Sequence, residues 1–226
     1  MTAQPPRHET LKPIIVINPN STQAVTDGID EAVEPFRMDG GPPIECVTLD
    51  EGPPGIETQE QADAVVAPLC DIILDREPSS SAFVIACYSD PGLQQARAGT
   101  SKPVFGIAES AMLVALTRGV RFGVISILES SIPRHKKYVR TLGLERRLAG
   151  DRAIGLGVTE LASEDRTFGR LVSVGGQLRD EDGADVLIMG CAGMARYRDR
   201  LEDAVGLPVI DPTQAAVTLA IGAVLL

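Results

Sequence analysis

The chain has 226 residues, a formal net charge of -10 and four cysteines. That length suits one large α/β domain or two small ones with a proper core. The acidic balance argues against binding a nucleic acid backbone or an anionic membrane, and the polar, Pro-rich start has no apolar signal region, so a soluble cytoplasmic protein is expected.

Residues 1–12 read as a free tail. Ile14–Ile17 is a continuous β-branched run, the mark of a strand buried on both faces, and Asn18-Pro19-Asn20 breaks it. Ser21 or Thr22 then caps a helix that buries Val25, Ile29, Val33 and Phe36. Ile44–Leu49 reads as a second strand, followed by a Gly/Pro loop through Ile56. The next helix buries Ala62, Val65, Leu69 and Ile72, with a kink expected at Pro68. Ala82–Ala86 is a strand that ends at Cys87.

The pattern then starts again. Phe122–Ile125 is a strand, and a short strand is expected near Ile154–Val158. A helix carries Leu161, Phe168, Leu171 and Leu178, weakened by Gly175 and Gly176. Val186–Met189 is a strand that ends at Gly190-Cys191. The helix after it buries Met194, Tyr197, Leu201 and Val205. The run from Ala215 to Leu226 is apolar but too short to span a bilayer, and it reads as a buried helix. Strands alternating with helices imply parallel sheets and βαβ units.

The second pass is a weak copy of the first. Ile14–Asn18 aligns with Phe122–Ser126, Phe83–Cys87 with Leu187–Cys191, and Pro103–Phe105 with Pro208–Ile210, at offsets of 108, 104 and 105 residues. Three matches in one order predict two pseudo-symmetric α/β lobes, each a parallel sheet flanked by helices. Lobe 1 is expected to hold residues 13–115 plus 212–226, and lobe 2 residues 116–211. The last helix is expected to pack back on the first lobe.

Ligands of open parallel sheets bind beyond the carboxyl ends of the strands. Cys87 and Cys191 each sit there, one per lobe, so the active site is expected in the cleft between the lobes. Two thiols facing one another across a cleft can remove a proton from one face of a carbon and return one to the other. A helix start is expected after each, at Pro91 and at Ala192-Gly193, where free N–H groups would favour a thiolate. A lone cysteine at a strand end more often reads as a small buried hydrophobe; the repeat favours catalysis. Cys46 and Cys70 have no counterparts and read as structural. No CxxC, cluster of metal ligands, P-loop or GxGxxG after a strand is present, so neither a metal nor a cofactor is expected.

These motifs resemble the aspartate/glutamate/hydantoin racemase superfamily. Ile17–Thr22, Ala86–Leu93, Pro103–Ala111 and Gly190–Met194 are similar to the hydantoin racemase branch, which includes allantoin racemases. The resemblance implies metal-free proton transfer by two cysteines, a small-molecule substrate and a homo-oligomer. Amino-acid racemases of the superfamily carry an acid where this chain has Asn18. A neutral cyclic amide or ureide therefore fits better, with Asn18, Ser89 and Ser126 supplying donors and acceptors. Tyr88, Gly190, Ala192 and Gly193 complete the expected binding residues, and Ile56 joins them by resemblance. Asn20 and Asp90 suit helix caps as well as a cleft, and Glu57 and Glu109 read as structural or solvated. The expected activity is racemisation of a 5-substituted hydantoin or a ureide such as allantoin. Alternatives are an amino-acid racemase, a decarboxylase or isomerase of the superfamily, and a non-catalytic metabolite binder.

Overall fold

The computed structural model describes residues 11–226. Residues 1–10 of the expected tail lie outside the described residues. Lys12 is fastened: its ammonium donates to the Pro78 carbonyl, and its own carbonyl accepts from Ser81 Oγ, each at 2.7 Å.

The first half runs β1 (Ile14–Asn18), α1 (Gln23–Val33), β2 (Ile44–Thr48), α2 (Gln59–Ala64), α3 (Val66–Arg76), β3 (Ala82–Ile85), α4 (Leu93–Gly99), β4 (Val104–Gly106) and α5 (Ile107–Ala115). The second runs β5 (Phe122–Ser126), α6 (Ile132–Thr141), β6 (Leu148–Ala153), α7 (Glu164–Asp180) and β7 (Val186–Met189). A 3-10 segment (Ala192–Tyr197), α8 (Arg198–Val205), β8 (Val209–Ile210) and α9 (Pro212–Leu225) follow.

The strands form two four-stranded parallel sheets, ordered β2-β1-β3-β4 and β6-β5-β7-β8. Sequence order maps onto the two sheets identically, which is the repeat realised in three dimensions. The central strands β1, β3, β5 and β7 are buried at every residue, as their unbroken apolar runs demand.

The last helix of each half crosses to the other sheet. Ala216, Val217, Ala220 and Ile221 of α9 pack on Ile14, Val16, Ala82 and Val84 of the first sheet. Ala108, Ala111, Met112 and Ala115 of α5 pack on Phe122, Val124, Val186 and Ile188 of the second. The expected division assigned α5 to lobe 1 because its residues follow that lobe's strands; its apolar face lies on lobe 2. α5 and α9 also touch each other, so the exchange clamps the halves together.

Local departures have plain causes. The second-half edge strand is Leu148–Ala153, not Ile154–Val158. As an edge strand it is mostly half-buried and tolerates Asp151 and Arg152, so it lacks the apolar run that a search for strands finds. Ile154 and Leu156 are buried instead against the lobe 2 core as loop residues, and Val158 as the first residue of a 3-10 turn. The helix expected to kink at Pro68 breaks at Val65, and Pro68 lies in the first turn of α3, where its missing N–H costs nothing. Within α3 it is Ile73 that is buried, while Ile72 is half-buried. Among the described residues, no helix is long and apolar enough to cross a membrane.

Candidate active site

Cys87 and Cys191 lie two residues beyond the ends of β3 and β7, the equivalent central strands of the two sheets. The approach to each is built alike. Ala86 N–H donates to the Ile17 carbonyl and Gly190 N–H to the Ile125 carbonyl, each at 2.8 Å, tying each cysteine loop to the neighbouring strand. In the second half the strand lies closer, since a Cβ at Gly190 would sit 2.7 Å from the Ile125 oxygen. Each cysteine carbonyl then starts a turn, accepting from Asp90 N–H at 2.9 Å and from Met194 N–H at 3.2 Å.

Both thiols line one cavity of about 40 Å³. Ile56, Tyr88, Ser89, Gly190, Ala192 and Gly193 line it too, so the structure gathers eight of the ten residues singled out from the sequence. Asn18 and Ser126 are the exceptions. Both are buried, and their side chains turn inward to hydrogen-bond within their own lobes. Asn18 Nδ2 donates to Asn20 Oδ1 at 3.1 Å and to Thr26 Oγ1 at 3.0 Å, and it is Asn20 that reaches the cavity. Asn20 Oδ1 also accepts the Thr22 N–H at 3.0 Å, so it fixes the turn into α1, whose cap residue is Thr22, while lining the site. Strand-end residues point where the strand's last pleat sends them, and that phase is not visible in the sequence.

The expected helix starts are only partly present. Pro91 precedes α4, whose cap is Gly92, and Asp90 has a left-handed φ of 44°. Asp90 caps a different helix: its carboxylate accepts the Ala108 and Glu109 N–H groups at the start of α5, each at 2.9 Å. The donors near the thiols are the N–H of Ser89, in the loop after Cys87, and the N–H of Gly193, in the first turn of the 3-10 segment that Cys191 precedes, so the helix start expected at Ala192-Gly193 is present in 3-10 form. The Ser89 hydroxyl lies 3.3 Å from Cys87 Sγ.

These donors do not produce the expected low thiol pKa values. Burial pushes the Cys87 thiol up, against the Ser89 hydroxyl and N–H and the Arg134 charge, which pull it down. Burial pushes Cys191 up to about 12, where only the Gly193 N–H opposes it and Cys87, Asp211 and Glu57 add to the rise. Both thiols are thereby pushed toward the protonated form, and Cys87 has the better support for a negative charge. Tyr88, also buried, is held well up as a neutral phenol.

The sequence reading missed Val25, Ser131, Arg134, His135 and Val158 of the cavity wall. His135 carried a usable signal: it sits three residues after Ile132 and four before Val139, on the buried stripe of α6. Arg134 carried none, being one of several basic residues on that helix. Glu57 is structural, as expected. Its carboxylate accepts the Val158 N–H at 2.9 Å, joining the first-half loop to the second half beside the cavity. A larger cavity of about 380 Å³ shares Val25, Val158, Ala192 and Gly193 with the thiol cavity.

A family model described as Asp/Glu/Hydantoin racemase matches residues 14–220, nearly all of the two sheets and their helices. The chain belongs to the Asp/Glu/hydantoin racemase family. It is 35% identical over 209 residues to a hydantoin racemase of Pseudomonas sp. (strain NS671), covering 92% of this chain and 84% of that protein. A hydantoin racemase of Rhizobium meliloti is 36% identical over 210 residues, covering 92% and 86%. Among solved structures, an allantoin racemase from Klebsiella pneumoniae superposes with a TM-score of 0.86 at 30% identity, covering 95% of this chain and 88% of that one. These relatives place the chain in the hydantoin racemase branch of the family.

Proposed function

We propose that the chain racemises a 5-substituted hydantoin or a related cyclic ureide such as allantoin, with Cys87 and Cys191 as the acid–base pair. The observation that carries this is the pair itself: two thiols at equivalent strand ends of the two sheets, lining one cavity. One thiolate takes the proton from the ring carbon, leaving an enolate on the neighbouring carbonyl. The opposite thiol delivers its proton to the other face, and the pair ends with its protonation exchanged. The reaction needs one thiolate beside one thiol, so loss of the first thiol proton sets the pH at which transfer begins.

The neutral surroundings of the first-half wall support an uncharged ring over an amino acid. Asn20 is the polar side chain of that wall, and behind it Asn18 bonds both Asn20 and Thr26. The named activities of the hydantoin and allantoin racemase relatives point the same way. The reading includes a cytoplasmic homo-oligomer that needs no metal or nucleotide, so dialysis against a chelator leaves its rate unchanged.

The test is a single enantiomer in deuterated water. Product is expected to carry deuterium while recovered substrate carries little during early turnover. Cys87→Ser and Cys191→Ser each stop racemisation, because a hydroxyl is too weak an acid to replace a thiol. Each variant retains one base and exchanges the C5 proton of the enantiomer facing it, so the two act on opposite enantiomers. Racemisation at the parent rate in either variant, or exchange of the same enantiomer by both, sinks the two-base assignment.

A further inference from the structure

Each half of the molecule holds a polar triplet on equivalent elements, the end of the first strand, the following helix and the edge strand, buried in the second half and only half-buried at Thr48 in the first. In the first half it is Asn18, Thr26 and Thr48. Asn18 Nδ2 donates to Thr26 Oγ1 at 3.0 Å, and Thr26 Oγ1 lies 2.6 Å from Thr48 Oγ1. In the second half it is Ser126, His135 and Asp151. Ser126 Oγ donates to Asp151 Oδ1 at 2.5 Å, and His135 Nδ1 lies 3.1 Å from Asp151 Oδ2 and 3.0 Å from Ser126 Oγ.

If these triplets only tied strands to helix, the neutral version would serve in both halves. The second half instead buries an imidazole and a carboxylate with side-chain exposures of 6% and 1%. It is also the version that reaches the thiol cavity: His135 lines it, while neither Thr26 nor Thr48 does. The ring is held from two sides. Asp151 and Ser126 take Nδ1, and the Tyr88 ring packs against it edge-on with centroids 5.1 Å apart. A carboxylate accepts only, so the geometry favours the tautomer with its proton on Nδ1, which leaves the lone pair on Nε2. No described residue bonds Nε2.

We propose that His135 Nε2 accepts an N–H of the substrate ring, and that Ser126 and Asp151 are positioning residues that set its tautomer. This rests on the ureide reading above and names the feature it selects: a ring N–H, which an N-methylated ring lacks. A site that offers an acceptor to a missing N–H leaves that acceptor unpaired, which is a strong basis for discrimination.

The chain has two histidines, so His8→Gln leaves His135 as the single imidazole for 15N NMR. The free protein is expected to show a protonated Nδ1 and an unprotonated Nε2. Titration with unsubstituted hydantoin moves the Nε2 resonance toward the hydrogen-bonded value, and one of the N1- or N3-methyl hydantoins does not.

In kinetics, the double variant His135→Phe with Asp151→Asn keeps an aromatic ring, though a larger one, and removes the buried charge. It is expected to raise KM for the N–H substrate about tenfold, with kcat changed much less, and to bring the preference over the N-methyl ring close to unity. Asp151→Asn alone donates to Nδ1, turns Nε2 into a donor, and raises KM by as much while the melting temperature holds. An Nε2 resonance unmoved by bound hydantoin overturns the proposal, as does an N-methyl preference kept in the folded double variant. C5 exchange of hydantoins by the parent protein shows that the racemase reading stands in that case. Absence of that exchange overturns the reading and this proposal together.

Discussion

Arg134 works against burial at Cys87. Its charge lowers the thiol's pKa, and its Nε is buried without a hydrogen-bond partner among the described residues. Reaction requires one thiolate and one thiol, so kcat/KM rises with pH as the first proton leaves the pair and falls as the second leaves. Removing the cation in Arg134→Gln raises the Cys87 pKa and moves the rising limb to higher pH. The move is about one pH unit or less, because the charge acts through a partly polar medium. Both directions move together, since the two enantiomers are equal in free energy. Polarimetric pH profiles from each enantiomer check this, and an unmoved rising limb refutes the role.

Helices α5 and α9 each begin on a buried aspartate, and the two caps differ in a way that predicts opposite responses. Burial raises Asp90 to about 7 and Asp211 to about 6, both above the ordinary 3.8. A carboxyl whose folded pKa is raised gives stability that is complete below pH 4 and is lost as pH rises through 6 to 7. Asp211 Oδ1 accepts the Gln214 N–H at 2.8 Å, but its Oδ2 has no partner. Asp211→Asn therefore keeps the cap and removes a buried charge. It is expected to stabilise by about 2 kcal/mol at pH 8 and by little at pH 4. Asp90 uses both oxygens, with Tyr138 Oη donating to Oδ2 at 3.0 Å beside the Glu109 N–H. Asp90→Asn sets an amide N–H against a backbone N–H and costs about 1–3 kcal/mol at either pH. Thermal unfolding of both variants at pH 4 and pH 8 separates the cases.

At the scale of the whole molecule, the thiol cavity of about 40 Å³ holds about three waters. A ureide ring with its substituent is larger, so the two halves are expected to part to admit it and to displace the water as they close over it. The exchanged helices α5 and α9 keep the halves joined during that motion, and the Glu57–Val158 hydrogen bond holds the loops beside the site together. Glu57→Ala loosens closure and removes a negative charge that raises the Cys191 pKa. Both effects let the thiols ionise earlier. The expected result is a KM raised several-fold and a kcat profile displaced to lower pH. A displacement to higher pH, or a tighter KM, would contradict this account of closure.

The sequence by itself determined the sheets and the cysteines. Unbroken β-branched runs can only be strands covered on both faces, and their repetition in one order forces two equivalent βαβ units. Cys87 and Cys191 then fall at equivalent strand ends because strand direction and the repeat leave no other place for them. Local signals failed wherever the answer depended on what lay across the chain. Leu148–Ala153 is an edge strand whose polar residues hide it, and Asn18 and Ser126 point inward because of the phase of the last pleat. The return of α9 to the first sheet was legible from the repeat, but the crossing of α5 to the second was not assigned, because an apolar helix face does not say which sheet will cover it. The thiol pKa values were misjudged for the same reason. Nearby N–H groups are written in the sequence, but desolvation, which outweighs them, exists only once the two halves close around the site.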